Sequence, residues 1–222
     1  MEKRNKLILL LSGGIDSTTC LYWAKVKGFK VEAIIFDYGQ RHRIEIKHAV
    51  KIARINKCPY YVIRLKLPWN NSTLLSSDKN LPNRSLNKIK EEAIPNTYVP
   101  GRNTIFLSYA LSFAESIKAD GILFGANQID YSGYPDCRID YVKSFEEMAN
   151  LGSSYGQSKA RLKIYVPLIK STKVEIVKLA KHLGVPFNCT WSCYAGKVRP
   201  CLVCDSCKIR INAFNEAGIK DN

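Results

Sequence analysis

Long hydrophobic runs are missing from this chain of 222 residues. No apolar stretch approaches the ~20 residues that a bilayer-spanning helix needs, so no membrane anchor is expected. No secretory leader is expected either. The polar segment Met1–Lys6 runs straight into an apolar stretch of five residues, too short for a signal core, and the expected location is the cytoplasm. No internal repeat, low-complexity tract or clear linker interrupts the chain, and its 46% hydrophobic content suffices for one sizeable core, so residues 1–222 are expected to form a single domain. Histidine is scarce, and His42, His48 and His182 do not form a metal set, although His42 lies among residues of interest below.

Acidic residues are also few, 19 against 34 Lys and Arg, for a formal net charge of +15. The excess is mostly lysine spread through the chain, with one concentration over residues 159–181, where seven Lys/Arg face one Glu. A solvated lysine-rich surface with some phosphate-contacting residues accounts for this; a nucleic-acid footprint is the competing reading.

What is present alternates. The apolar run at 7–11 reads as a buried parallel strand, and further strands are expected at 30–36, 60–65, 121–125 and 163–168. Helical patterns cover 16–27, 42–56, 103–119, the stretch ending near Asn150, 172–183, and a short terminal helix from near Cys207. This order predicts an α/β fold, a doubly wound, mainly parallel five-stranded sheet, with ligands at the carboxyl ends of its strands. Residues 66–98, rich in Asn, Ser, Lys and Pro, read as an extended, partly mobile excursion or flap. Residues 189–222 read as a C-terminal metal-binding segment.

The turn Leu11-Ser12-Gly13-Gly14-Ile15-Asp16-Ser17 joins the first strand to a helix. Two glycines let the backbone turn tightly and approach a ligand, and the exposed N–H groups at a helix start make an anion site. Ser12 and Ser17 add hydroxyl donors. Asp16, an anion, suits helix capping or Mg²⁺ rather than phosphate. No lysine follows the glycines, which excludes a Walker A loop. The S-G-G-x-D-S spacing resembles the pyrophosphatase-loop ATPases, among them GMP, NAD and asparagine synthetases and several tRNA-modifying enzymes. That resemblance implies an adenine nucleotide alpha hydrolase-like fold, cleavage of ATP to AMP and pyrophosphate, and adenylate transfer to a substrate oxygen.

Four of the eight cysteines are clustered, Cys193-x7-Cys201-x2-Cys204-x2-Cys207, and in a reducing compartment such spacing suggests metal rather than disulfides. A tetrahedral Zn²⁺ site with four thiolates leaves no open position, so one structural zinc per chain is expected, with Lys197, Arg199, Lys208 and Arg210 offsetting its charge. An iron–sulfur cluster, carried by some thiolating pyrophosphatase-loop enzymes, is the rival; its usual three-ligand pattern is not matched. Cys189 is a spare thiol with poorer spacing. Cys137 has no histidine near it in sequence, and an adenylate mechanism needs no thiol nucleophile.

The strings F-D-Y-G-Q-R-H at 36–42, V-P-G-R-N at 99–103 and N-Q-I-D-Y-S-G-Y-P-D-C-R at 127–138 stand beside the glycine turn and T-W-S-C-Y with its cysteines. Together, over essentially the whole chain, they resemble the 7-cyano-7-deazaguanine synthase family. The resemblance implies a ligase that converts 7-carboxy-7-deazaguanine, ammonia and ATP to a nitrile through an adenylated carboxylate and an amide. Its implied partners are ATP with Mg²⁺, ammonia and a deazaguanine carboxylate, with no direct nucleic acid, in a homodimer. ATP contacts are expected from Leu11 to Ser17 and from Asp37 at the second strand's end. Arg102 and Asn103 open a helix near nucleotide or substrate anion, and Lys173 is expected on pyrophosphate. Asp130, Tyr134 and Asp136 suit a guanine-like N–H edge, and Arg138 the substrate carboxylate. Asp16, Ser17, Arg102 and Lys173 form the expected catalytic set. Trp69 and Trp191 can stack a purine or pack in the core. A pyrophosphatase-loop enzyme that adenylates a tRNA base directly is the alternative; the charge favours it, while the G-Y-P-D-C-R loop and the lack of any segment reading as an appended RNA-binding domain argue against it. A metal-containing nucleic-acid-binding regulator leaves the glycine turn unexplained.

Overall fold

A computed structural model describes residues 5–69, 71–76, 78–91, 94–127, 133–157 and 161–221. Along the chain run β1 (Lys6–Leu10), α1 (Ile15–Val26), β2 (Lys30–Asp37), α2 (Ile44–Ile55), β3 (Tyr60–Arg64), α3 (Leu86–Glu91), α4 (Arg102–Ser116), β4 (Gly121–Leu123), α5 (Ile139–Leu151), β5 (Lys163–Tyr165), α6 (Lys173–His182) and α7 (Asp205–Ala217). The strands form one five-stranded sheet in the order β3-β2-β1-β4-β5, and every neighbouring pair is parallel.

The apolar runs dictate this arrangement. β1 is central, and its alternate residues enter different cores, as the two-residue period of a strand requires. Leu7 and Leu9 pack with Leu21 of α1, Ile52 of α2, Ile176 of α6 and Phe214 of α7. Ile8 and Leu10 face the opposite way, onto Leu107 of α4 and Phe145 of α5. Both faces of the sheet are therefore covered, which explains a continuous apolar strand rather than an alternating one. Each such buried Leu or Ile contributes roughly 1.5–3 kcal/mol relative to exposure. β3 lies at the sheet edge, and Tyr61 and Val62 remain exposed there.

Strand order reverses between β1 and β4, which opens a crevice at the carboxyl ends of these two strands. α6 starts beside it with a capping box: the Thr172 hydroxyl accepts from the Glu175 N–H at 3.2 Å, and the Glu175 carboxylate accepts from the Thr172 N–H at 2.7 Å.

The 66–98 segment reads from sequence as an excursion or flap. It contains α3, and its described residues are tied to the body by several contacts, two of them as follows. The Arg41 guanidinium donates to the carbonyls of Thr73, Ser76 and Lys79. Farther along, Arg84 grips Asp205 at the start of α7 through Nε and Nη2, at 2.8 and 2.6 Å, while its own N–H donates to the other carboxylate oxygen at 2.9 Å. Asp205 is 1% exposed, so its carboxylate is buried with all three of these hydrogen bonds on it, while Arg84 stays partly exposed. Among the described residues, no helix is long and apolar enough to cross a membrane.

Candidate active site and metal centre

A cavity of about 310 Å³ opens where β1, β2 and β4 end. Its floor is the turn after β1. Gly13 adopts φ +81°, and a Cβ there would sit 2.6 Å from the Ala49 N and 2.7 Å from the Glu45 carbonyl oxygen, so only glycine lets the turn lie against α2. Gly14 is the N-cap of α1. Ser12 and Ser17 face each other across the turn, with hydroxyls 3.1 Å apart, and the Gly14 N–H donates to the Ser12 hydroxyl at 3.3 Å. The first N–H groups of α1 have no intrahelical acceptor and point toward the cavity end of the helix, the arrangement that binds phosphate.

Asp16 does not cap α1. Its carboxylate instead receives both hydrogen bonds of Lys173 Nζ, at 2.8 and 2.6 Å, across 157 residues of sequence. The pair lines the cavity with Ser12, Gly14 and Ser17. An anion held beside a cation at the mouth of a phosphate turn can receive a metal–phosphate complex of either local sign.

On the opposite wall Arg102 opens α4, placed by Gly101 in the left-handed conformation. Its guanidinium donates to the Tyr38 hydroxyl at 3.3 Å and to Asn103 Oδ1, and lies over the Tyr38 and Phe106 rings at 5.7 and 5.8 Å. Burial works against its charge, but Tyr38, Tyr134 and Asp136 more than offset this and raise its pKa further, so it stays cationic. The Tyr38 phenol is pushed up to about 12, chiefly by burial. Phe36 and Phe106 stack at 4.0 Å and 2° and make that wall flat and apolar.

The structure brings Leu11, Ser12, Gly14, Ile15, Asp16, Ser17, Arg102, Tyr134 and Lys173 to this one cavity. Gly13 supports the turn from behind. Asp37 is not at the cavity: its Oδ2 pairs with Arg43 Nη2 at 2.5 Å, a cation six residues downstream that captures it locally. Asp136 is buried beneath the cavity wall, where its Oδ2 accepts the Asn103 N–H at 3.2 Å and burial raises its pKa. Arg138 is exposed at the start of α5. Asp130 lies outside the described residues. The Tyr134 hydroxyl meets the Thr97 hydroxyl at 2.6 Å, so the end of the 66–98 segment contributes to the site. Cys137 reaches the cavity as a thiol pushed up to about 12 by burial, which removes it as a nucleophile.

Sequence reasoning overlooked Tyr38, Glu45 and Phe106. Tyr38 stands inside F-D-Y-G-Q-R-H and carried a signal; Glu45 and Phe106 read as ordinary helix residues. Trp191 does line the cavity, with Tyr194 beyond it, whereas Trp69 is 37% exposed and does not.

The four clustered cysteines converge behind this wall. Their sulfurs all lie within 4.8 Å of one another, with Cys201 and Cys207 4.0 Å apart. A tetrahedral ion with metal–sulfur bonds of ~2.3 Å needs sulfurs roughly 3.8 Å apart. Backbone N–H groups of Ala195 and Cys201 donate to Cys193 Sγ, and that of Cys204 to Cys201 Sγ, each at 3.3 Å. Hydrogen bonds from the Cys204 and Cys207 thiols, and then from these N–H groups, lower the Cys193 pKa well below its ordinary value. Four sulfurs converging at these distances fit a metal ion.

A family model described as queuosine biosynthesis protein QueC matches residues 6–218. The chain belongs to this family. The 7-cyano-7-deazaguanine synthase of Trichodesmium erythraeum is 47% identical over 219 residues, covering 97% of this chain and 98% of its own length. That of Nostoc punctiforme is 48% identical, covering 97% of both. Among solved structures, the NMN synthetase from Francisella tularensis superposes with a TM-score of 0.52 at 17% identity, over 99% of this chain and 79% of its own. The U34-tRNA thiolase NcsA from Methanococcus maripaludis, solved with its 4Fe-4S cluster, gives 0.50 at 18% identity, over 97% and 66%. At these identities the two structures share the fold, and the QueC assignment rests on the sequence matches. The expected adenine nucleotide alpha hydrolase-like architecture is the one observed.

Proposed function

We propose that this QueC-family chain is an ATP-dependent C–N ligase that converts 7-carboxy-7-deazaguanine and ammonia to 7-cyano-7-deazaguanine. The observation that carries the reading is the meeting of the Gly13–Gly14 turn with the Asp16–Lys173 pair at one end of a cavity whose other wall is cationic and aromatic. The near full-length identity to curated synthases of that name supports the substrate.

Ser12, Gly14 and Ser17 grip the β,γ-pyrophosphate. Asp16 is the carboxylate that would hold an ion entering with ATP, and one carboxylate plus phosphate oxygens suits Mg²⁺, which would neutralise charge on the departing pyrophosphate. Lys173 moves onto the same phosphates. Arg102 holds the substrate carboxylate against the α-phosphate, where fixed geometry replaces collision. A carboxylate oxygen attacks the α-phosphorus and pyrophosphate leaves. Ammonia then attacks the acyl carbon and releases AMP, giving the amide. The amide oxygen attacks a second ATP, and loss of AMP and the amide protons leaves the nitrile. Tyr134 borders the heterocycle, Asp136 acts through Asn103 by fixing the start of α4, and Asp130 and Arg138 complete the substrate contacts.

The cysteine centre is proposed to hold one zinc per chain. Four thiolates leave no open position, so the metal supplies structure and no chemistry. The family resemblance also supports a homodimer in the cytoplasm.

Purified protein given the carboxylate, ammonium and ATP should yield the nitrile and AMP, read by mass spectrometry. Absence of nitrile, with turnover appearing only when tRNA is added, would overturn this reading in favour of direct base adenylation. Metal analysis should find one zinc and no iron per chain; iron with acid-labile sulfide would contradict the zinc assignment.

A further inference from the structure

Trp191 joins the two centres just described. Its backbone N–H donates to the Gly13 carbonyl at 2.9 Å, and its indole N–H donates to the Cys193 carbonyl at 2.8 Å. One residue therefore bonds both to the phosphate turn and to a metal ligand. It is held there firmly. The residues on either side, Thr190 and Ser192, accept hydrogen bonds from the Arg210 guanidinium at 2.9 and 3.2 Å, and Arg210 projects from α7, the helix whose first turn carries Cys207. The His48 ring packs on the indole with centroids 5.0 Å apart. Trp191 itself is 6% exposed.

The bond to Gly13 has a specific consequence. A trans peptide is planar, so the carbonyl of Gly13 and the N–H of Gly14 point in opposite directions. Fixing the carbonyl on Trp191 turns the Gly14 N–H toward the Ser12 hydroxyl, the side where phosphate binds. Between two glycines a peptide can flip at little cost, because neither residue has a Cβ to resist it. A flipped peptide would present a carbonyl oxygen to the phosphate. Something outside the turn must hold the orientation, and Trp191 is placed to do so.

We propose that Trp191 is a positioning residue that couples the four-cysteine centre to the phosphate turn, so that a filled metal site holds the Gly13–Gly14 peptide with its N–H toward the nucleotide. The metal and ATP then assist each other's binding although they never touch. This inference rests on the nucleotide reading above and adds a thermodynamic requirement to it. Coupling between two sites is reciprocal: if metal tightens ATP, ATP tightens metal by the same factor.

The test uses the full-length, metal-loaded protein. ATP binding is measured calorimetrically before and after metal removal with a chelator, and metal release to a chromogenic chelator is followed with and without ATP. Metal removal should weaken ATP by a factor in the usual coupling range, ~5–150, and ATP should raise the concentration of chelator needed for half-release by a matching factor. Should the stripped protein lose its fold, Trp191→Phe carries the test with metal bound, since it keeps an aromatic ring while removing the indole N–H together with part of the ring's bulk. It should retain one metal per chain, bind ATP several-fold more weakly than the wild type, and show no effect of ATP on metal release. Faster amide exchange over residues 12–17 in that variant would mark the freed turn. Equal ATP affinity of the metal-loaded variant and wild type, or metal release from the wild type that ignores ATP, would overturn the coupling alone. Failure of the metal-loaded wild type to bind ATP at all would overturn the nucleotide reading and this inference together.

Discussion

At Asp16 two demands meet on one carboxylate in the proposed reading: it neutralises Lys173 at 2.6 Å, and it turns to an ion when ATP arrives. Both partners then act on the same phosphates, so removing the carboxylate should be felt in turnover rather than in folding. Asp16→Ala is expected to lower kcat by ~10²–10³-fold, the usual loss for one electrostatic group, while metal analysis still finds the cysteine centre filled. Loss of metal in that variant would place Asp16 in a structural role. Cys137 makes the opposite case. Burial pushes its thiol up to about 12, so it should stay unalkylated by iodoacetamide at pH 8 in the folded protein; rapid labelling there would contradict its assignment as packing. At this scale the sequence was legible where a motif is local. The turn from Leu11 to Ser17 is contiguous, and its residues arrive at the cavity together. Asp37 pairs with Arg43, six residues away, rather than lining the cavity, a contest that no spacing rule decides. The Asp16–Lys173 pair spans 157 residues, so both members were singled out but not as a pair.

Among the elements, all five strands were read from their apolar runs, with β1 to β3 within a residue of the expected ends and β4 two residues shorter than expected. The central strands leave little freedom in composition because both their faces are buried. The last strand ends earlier than expected, at Tyr165, with Pro167 close behind. The excursion was harder. α3 has six residues, too few to show a period, and the clamp that holds the segment, Arg84 on Asp205, joins positions 121 apart. That clamp carries its own prediction. Arg84→Met leaves a carboxylate buried without its cation, which typically costs about 3–5 kcal/mol, or a drop of about 10 °C in Tm for a chain of this size. Adding Asp205→Asn to that variant should recover part of the loss, because the unpaired charge is then gone. A Tm unchanged by Arg84→Met would show that the segment is held elsewhere.

For the molecule as a whole, the C-terminal segment is a wall of the cavity and, on the proposed metal reading, a structural staple as well. Cys204→Ser should release the metal and lower Tm, with the cavity wall at Trp191 and Tyr194 loosened at the same time; unchanged metal content and Tm would refute the ligand set. A second whole-molecule effect concerns pH. Burial raises Cys58 to about 11, and Cys137 and Tyr38 to about 12, and raises Cys20 as well. A group whose folded pKa lies above its unfolded one is neutral in both states at low pH, and only the unfolded chain ionises freely as pH rises. Stability is therefore intact below about pH 9 and falls from there toward pH 12, by up to ~1.4 kcal/mol per pH unit for each such group. Thermal melts across that range should show a progressive fall, and a flat profile would contradict the burial of these groups.

The central claim, that the glycine turn presents ATP so that AMP is attached to the substrate's own carboxylate, is open to one direct measurement. The carboxylate substrate is made with ¹⁸O in both oxygens and turned over with ammonium and unlabelled ATP, and the AMP is weighed by mass spectrometry. If each oxygen leaves on a phosphorus, every AMP carries one ¹⁸O, and two such AMP molecules accompany each nitrile. AMP without label, or ADP in its place, would contradict the account.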